Sequence, residues 1–168
     1  MSNYSIASIS NISREQLSSQ ILSSESAPHL PSNLAIIDVR DSDHIGGHIR
    51  GSTHVPSSQL DYRLPELVRL LKGKETVVFH CALSQQRGPA AALRYLREKE
   101  RLGGDGSKRE EDVVEESREG KNDARNEEQE AAQKVVVLEG GFTKWQEKYG
   151  EDKRLTEAYQ KDIWEFGY

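Results

Sequence analysis

The stretch His80-Cys81-Ala82-Leu83-Ser84-Gln85-Gln86-Arg87-Gly88-Pro89 holds the only cysteine of the chain and, after five intervening residues, an arginine. Cysteine attacks as its thiolate. The planar guanidinium of Arg87 can hold two oxygens of a phosphate-like group and leave the central atom open to in-line attack by sulfur. Cys81 and Arg87 are therefore the candidate catalytic pair, with Ala82, Leu83, Ser84, Gln85, Gln86 and Gly88 as an oxyanion-binding loop. In this arrangement the Ser84 hydroxyl can donate a hydrogen bond to the thiolate, and His80 would point into the core and orient the loop. A cysteine after an apolar run is also commonly a small buried hydrophobe. Serine and histidine at these places serve equally as a turn serine and a core histidine, so the flanking elements must decide.

Thr76-Val77-Val78-Phe79-His80-Cys81 is a short apolar run of the kind found in buried parallel strands, as are Leu34-Ala35-Ile36-Ile37-Asp38-Val39 and Val135-Val136-Val137-Leu138. Leucines at three-to-four spacing predict helices from Leu60 to Leu71 and from Pro89 to Lys99, the latter with Pro89 in a first turn that needs no N–H. Phe142 to Tyr149 is a further short amphipathic helix, opened by Gly140-Gly141. Near the N-terminus Ser13 and Gln16 have capping-box spacing ahead of Leu17, Ile21 and Leu22. Strands alternating with helices predict an α/β domain with a mainly parallel central sheet flanked by helices. The cysteine loop then lies between a strand and a helix. Loop amides can converge on an anion there, and the helix dipole favours both the anion and the thiolate.

A chain of 168 residues suits one domain, yet 35% hydrophobic residues and a mean hydropathy of −0.76 are low for a globular protein. Residues 101–134 account for this: they are charge-rich, contain recurring glycines and lack aromatics. That composition reads as a largely disordered insertion, the alternative being a solvated helix from about Glu110 to Gln133. The net charge of −5 disfavours nucleic-acid binding. No apolar run is long enough to span a membrane and Met1 to Ser13 has no secretory character, so an intracellular protein, cytoplasmic or nuclear, is expected. One cysteine cannot form an internal disulfide.

Ile37-Asp38-Val39-Arg40-Asp41, Gly47-His48-Ile49, His54-Val55-Pro56 and, further on, Val137-Leu138-Glu139-Gly140-Gly141-Phe142 with Trp145 resemble the signatures of rhodanese domains. With the cysteine loop, they cover about 35 to 149 in family order. The resemblance implies a single rhodanese-like domain: 1–33 as a helix and loop leading in, 34–100 and 135–168 as the catalytic part, 101–134 as the insertion. His80, Cys81, Ser84, Arg87, Gly88 and Pro89 match the cell-division-cycle-type phosphatases and eukaryotic arsenate reductases, whose loop is one residue longer than that of sulfurtransferases. A phosphatase of protein tyrosine or dual-specificity type, acting through a phosphocysteine, is the first expectation. Arsenate reduction with glutathione and glutaredoxin is the alternative, and a thiosulfate sulfurtransferase or a non-catalytic rhodanese-like binding module ranks below. The larger phosphatases of this group use a second cysteine that is absent here, so an oxidised Cys81 would depend on an external thiol.

The resemblance gives Asp38 and Arg40 a supporting, structural part, tying the first strand to neighbouring loops. His44 and His48 stand four apart, but Gly46-Gly47 between them disfavours a helix, so no metal site is expected. No cofactor beyond an external reductant is expected either. A general acid is not identifiable; Asp41, Asp43 and Glu139 only flank the motifs. The tail from Tyr159 to Tyr168 is expected to pack on the domain, and the oligomeric state is open.

Overall fold

The computed structural model describes residues 4–25, 27, 29–114 and 133–166, with backbone alone for 104–114. After a short β1 (Ser10–Ile12), Ser13 caps α1 (Arg14–Leu22): its Oγ accepts the Gln16 N–H at 3.1 Å, and Gln16 Oε1 accepts the Ser13 N–H at 3.0 Å. The chain continues through β2 (Leu34–Asp38), the two-residue strands β3 (His48–Ile49) and β4 (Thr53–His54), and α2 (Leu60–Leu70) to the central β5 (Thr76–His80). Then follow α3 (Arg87–Val114), β6 (Lys134–Leu138), α4 (Gly141–Tyr149), β7 (Thr156–Glu157) and α5 (Lys161–Phe166).

Five strands form one parallel sheet in the order β1-β6-β5-β2-β4, while β3 and β7 make a separate antiparallel pair. Val77, Val78 and Phe79 are completely buried, as the all-apolar run requires of a strand covered on both faces. Alternate residues feed two cores. Ala35, Ile37, Val77 and Phe79 pack with Leu60, Leu64 and Leu67 of α2 and Ala92 and Tyr95 of α3. Leu34, Ile36 and Val78 pack on the other side with Leu17 and Ile21 of α1 and Phe142 and Trp145 of α4. Asp38 pairs in register with His80, so the carboxyl ends of β2 and β5 lie side by side at one edge, where parallel α/β sheets carry their ligands.

Two sequence expectations change. The helix expected over Pro89 to Lys99 starts two residues earlier, at Arg87, and its backbone stays helical to Val114, so the insertion expected from 101 begins inside a helix. Gln133, assigned to the insertion by composition, is fixed in the domain. Its Nε2 donates to Leu71 O at 2.9 Å and Lys74 O at 2.8 Å, and its Oε1 accepts from Tyr95 Oη at 2.9 Å and Lys99 Nζ at 3.1 Å. Residues 115–132, the rest of the expected insertion, lie outside the described residues. The tail packs through α5: Trp164 Nε1 donates to Gly46 O at 2.9 Å and its ring meets Phe142.

Candidate active site

Cys81 follows the last residue of β5 and is 3% exposed, at the floor of a loop that ends where α3 begins. Ser84 has φ +56°, a left-handed conformation that strains a non-glycine residue by about 1 kcal/mol. That twist turns the Ser84 N–H inward, where it donates to Cys81 Sγ at 3.2 Å, while Ser84 Oγ accepts from the Cys81 N–H at 3.4 Å. The expectation that the Ser84 hydroxyl serves the sulfur is thereby corrected: the backbone amide does so, because the loop curls around this residue. Gly88 is buried beneath, and a side chain there would press on Ser84 Oγ at 3.3 Å. Ala82 is half-buried, whereas Leu83, Gln85 and Gln86 are exposed at the loop's rim.

The outer side of the loop is held by α4, a contact that sequence reasoning missed. Phe142 N–H donates to Cys81 O at 3.0 Å and Thr143 N–H to Ala82 O at 2.9 Å, so the start of α4 keeps both carbonyl oxygens off the sulfur. Gly141 makes this possible. It has φ +58°, and a Cβ on it would lie 2.5 Å from the carbonyl oxygens of both Cys81 and Ala82. The Gly140-Gly141 pair was the available signal, though nothing local says which loop it must approach.

Beneath the loop, Asp38, Arg40 and His80 are all completely buried. Arg40 Nη2 donates to Asp38 Oδ2 at 2.7 Å and to Gly47 O at 2.9 Å, its Nε sits 3.1 Å from both Asp38 oxygens, and its guanidinium lies 4.4 Å over the Phe142 ring. The pair thus joins β2 to the 41–47 loop and to α4. Burial pushes the pKa of His80 down, outweighing the pull of Asp38 and of the Cys81 carbonyl, so the ring is neutral at pH 7. Its Nδ1 lies 3.1 Å from Cys81 O and therefore carries the proton, which leaves Nε2 as a bare lone pair 3.8 Å from Asp38 Oδ2. Burial also opposes ionisation of Asp38, yet the carboxyl is held well below its ordinary value, with Arg40 as the adjacent full countercharge. His44 and His48 do not form a helical pair: with His54 they make a stack, His44 to His54 at 3.8 Å and His44 to His48 at 5.6 Å between ring centres.

Arg87 stands a third exposed at the mouth of the loop. Its Nη1 and Nη2 grip the Asp43 carboxylate at 2.8 and 2.6 Å, and Nη1 also reaches Asp41 Oδ2 at 3.2 Å. Asp41 is pinned in turn by Ser57 Oγ at 2.5 Å and the Ser58 N–H at 3.0 Å. The hydrogen bonds from Arg87 hold the Asp43 carboxyl below its usual range. Asp41 is lowered too, by Ser57, Ser58 and Arg87 acting against burial. Of the three acids flanking the motifs, these two therefore join the site. Glu139 is exposed at the end of β6, and among the described residues no contact joins it to Cys81 or Arg87. The arrangement provides a sulfur fed by an amide hydrogen bond and a guanidinium whose fork faces oxygen pairs, which is the equipment for attack on an oxyanion.

A model of the rhodanese-like domain matches residues 24–148. The CDC25-like phosphatase YCH1 of Saccharomyces cerevisiae is 36% identical over 140 residues, covering 77% of this chain and 76% of its own. Arsenate reductase 2.2 of Oryza sativa subsp. japonica is 40% identical over 114 residues, covering 67% and 69%. Among solved structures, Ygr203w, a yeast protein tyrosine phosphatase of the rhodanese family, superposes with a TM-score of 0.64 at 29% identity, over 95% of this chain and 99% of that one. Phosphatases and an arsenate reductase are thus among its relatives, and the chain belongs to the rhodanese-like family.

Proposed function

We propose that this protein is a cysteine-dependent phosphatase acting on an aryl phosphate or a phosphotyrosine-bearing protein. The observation that carries the reading is the five-residue loop, with Cys81 Sγ receiving the Ser84 N–H at its floor and the Arg87 fork at its mouth. The sulfur attacks phosphorus in line, an S–P bond forms, and the P–O bond to the leaving alcohol breaks with its electron pair on that oxygen. Arg87 and the loop amides offset the charge gathering on the equatorial oxygens. Water then cleaves the phosphocysteine, releasing phosphate and returning the thiolate.

The likeness to the rice arsenate reductase supports a second reading. Here Cys81 condenses with arsenate with loss of water, and glutathione with glutaredoxin supplies the two electrons that release arsenite. A chain with one cysteine has no second thiol of its own for that step. Either reaction suits the cytoplasm or nucleus, where a reducing pool keeps a lone thiol free.

The test is a side-by-side assay of an aryl phosphate and of arsenate, with and without glutathione and glutaredoxin, on the wild type and on Cys81→Ser. Ester hydrolysis that disappears in Cys81→Ser is expected. Folded wild type that hydrolyses no aryl phosphate sinks the first reading, and arsenate turnover dependent on both thiol components then selects the second.

A further inference from the structure

We propose that Asp43 is a built-in competitor for the oxyanion: its carboxylate occupies the fork of Arg87 that substrate oxygens must take, and so sets how tightly the site binds them. The proposal rests on the reading of the loop as an oxyanion site, without regard to which oxyanion it serves. The Asp43 contact is bidentate, at 2.8 and 2.6 Å, the geometry by which a guanidinium receives a phosphate or arsenate edge.

The carboxylate is the fixed half of this pair. Asp43 Oδ1 also accepts the Asp41 N–H at 2.8 Å, and Asp41 is tied to Ser57 and Ser58. The far end of the same loop is clamped by Arg40 on Gly47 O and by Trp164 on Gly46 O. Arg87, by contrast, carries a long side chain a third exposed to solvent. Exchange therefore moves Arg87 from Asp43 to the substrate and leaves the acidic loop in place.

Charge acts in the same direction as geometry. One guanidinium faces two carboxylates, so the cluster at the mouth of the site carries a net negative charge toward an incoming anion. Its apparent affinity is reduced by the fraction of molecules in which Arg87 is free. For a part-buried bidentate pair that reduction is at least about fivefold.

Tungstate, a tetrahedral oxyanion that is neither hydrolysed nor reduced here, is titrated calorimetrically into wild type, Asp43→Asn and Asp43→Ser. Both substitutions keep an acceptor for the Asp41 N–H and so preserve the turn. Binding about fivefold tighter in the variants is expected, as is loss of that gain in an Arg87→Lys background. A second measurement compares alkylation of Cys81 by iodoacetate with that by iodoacetamide. The ratio cancels changes in the sulfur itself and should rise severalfold when Arg87 is released. Unchanged or weaker tungstate binding overturns the proposal, since it would make Asp43 an orienter of Arg87. A gain that persists in Arg87→Lys overturns it as well, leaving only general repulsion. Should neither variant fold, the Arg87 guanidinium NMR signal of the wild type is followed during the titration, and a signal that stays put while the loop amides saturate refutes the exchange. Because binding is read without turnover, tighter binding in a protein inactive on both substrates would spare this proposal and remove the functional one. Turnover with no tightening would do the reverse.

Discussion

Two arginine–carboxylate pairs stand on either side of the cysteine loop with nearly the same contact, Arg40 to Asp38 at 2.7 Å and Arg87 to Asp43 at 2.6 Å. Their surroundings differ. Both members of the first are completely shielded from water, while Arg87 and Asp43 are 33% and 24% exposed. A buried charge that loses its partner has nothing to replace it, whereas an exposed one falls back on water at little cost. The same chemistry is therefore a permanent tie in one place and an exchangeable contact in the other. The ends of β2 and β5 hold the permanent one beneath the loop and the exchangeable one at its mouth.

The largest effect should come from breaking the buried pair. Arg40→Ala leaves Asp38 charged without a countercharge, frees the Gly47 carbonyl and removes the guanidinium from Phe142. A loss of about 3–5 kcal/mol is expected in denaturant unfolding, and an Arg40→Ala protein within about 1 kcal/mol of wild type would erase the distinction drawn between the two pairs. The arginine at the mouth should show the opposite split. Arg87→Lys surrenders the fork that holds two oxygens, so turnover should fall about a hundredfold, the scale of one lost transition-state donor. Unfolding of that variant should stay within about 1 kcal/mol of wild type. Activity and stability falling together would show that Arg87 is part of the frame.

What the sequence makes legible follows the same division. Three sheet strands and the spacing of Cys81 to Arg87 are local patterns of apolar runs and loop length, and they could be read directly. Strands β1, β3, β4 and β7 span only two or three residues, too short for any periodicity to register. The attachment of Arg87 to Asp41 and Asp43 depends on β2 and β5 being neighbours in the sheet, and the approach of Gly141 to Cys81 on where α4 begins relative to the loop. Neither is present in residue types taken in order. The twist at Ser84 defeated local reasoning for another reason: serine rarely adopts φ +56°, and the surrounding loop imposes it.

Acidification probes the buried side on its own. His80 is neutral in the fold, with its pKa pushed below the ordinary 6.5, while the unfolded chain takes up a proton near that value. The stability this provides is complete above about 6.5 and declines as pH falls below it toward the folded-state value. Each step down in pH through this range therefore favours the unfolded chain, which binds the proton the folded ring refuses. His44, lowered mainly by burial, adds to the decline in the same direction. His80→Asn can retain a donor to the Cys81 carbonyl and cannot titrate, so its unfolding free energy should fall less steeply over this range. An equal slope in wild type and variant would place the acid sensitivity elsewhere.

The smallest effect belongs to the carboxylate at the mouth of the site. Asp43→Asn should change the unfolding free energy by less than about 1 kcal/mol, because Arg87 regains water and the Asp41 N–H keeps an acceptor. The residual difference from wild type should shrink between roughly 0.05 and 0.5 M salt, as the Debye length contracts to a few ångströms. The buried pair offers a control, since the cost of Arg40→Ala arises from desolvation and should barely respond to salt. A salt-insensitive loss of several kcal/mol in Asp43→Asn would mean that the mouth of the site is built like its base. Arg87 would then be free of Asp43 in too few molecules for a substrate to compete for it.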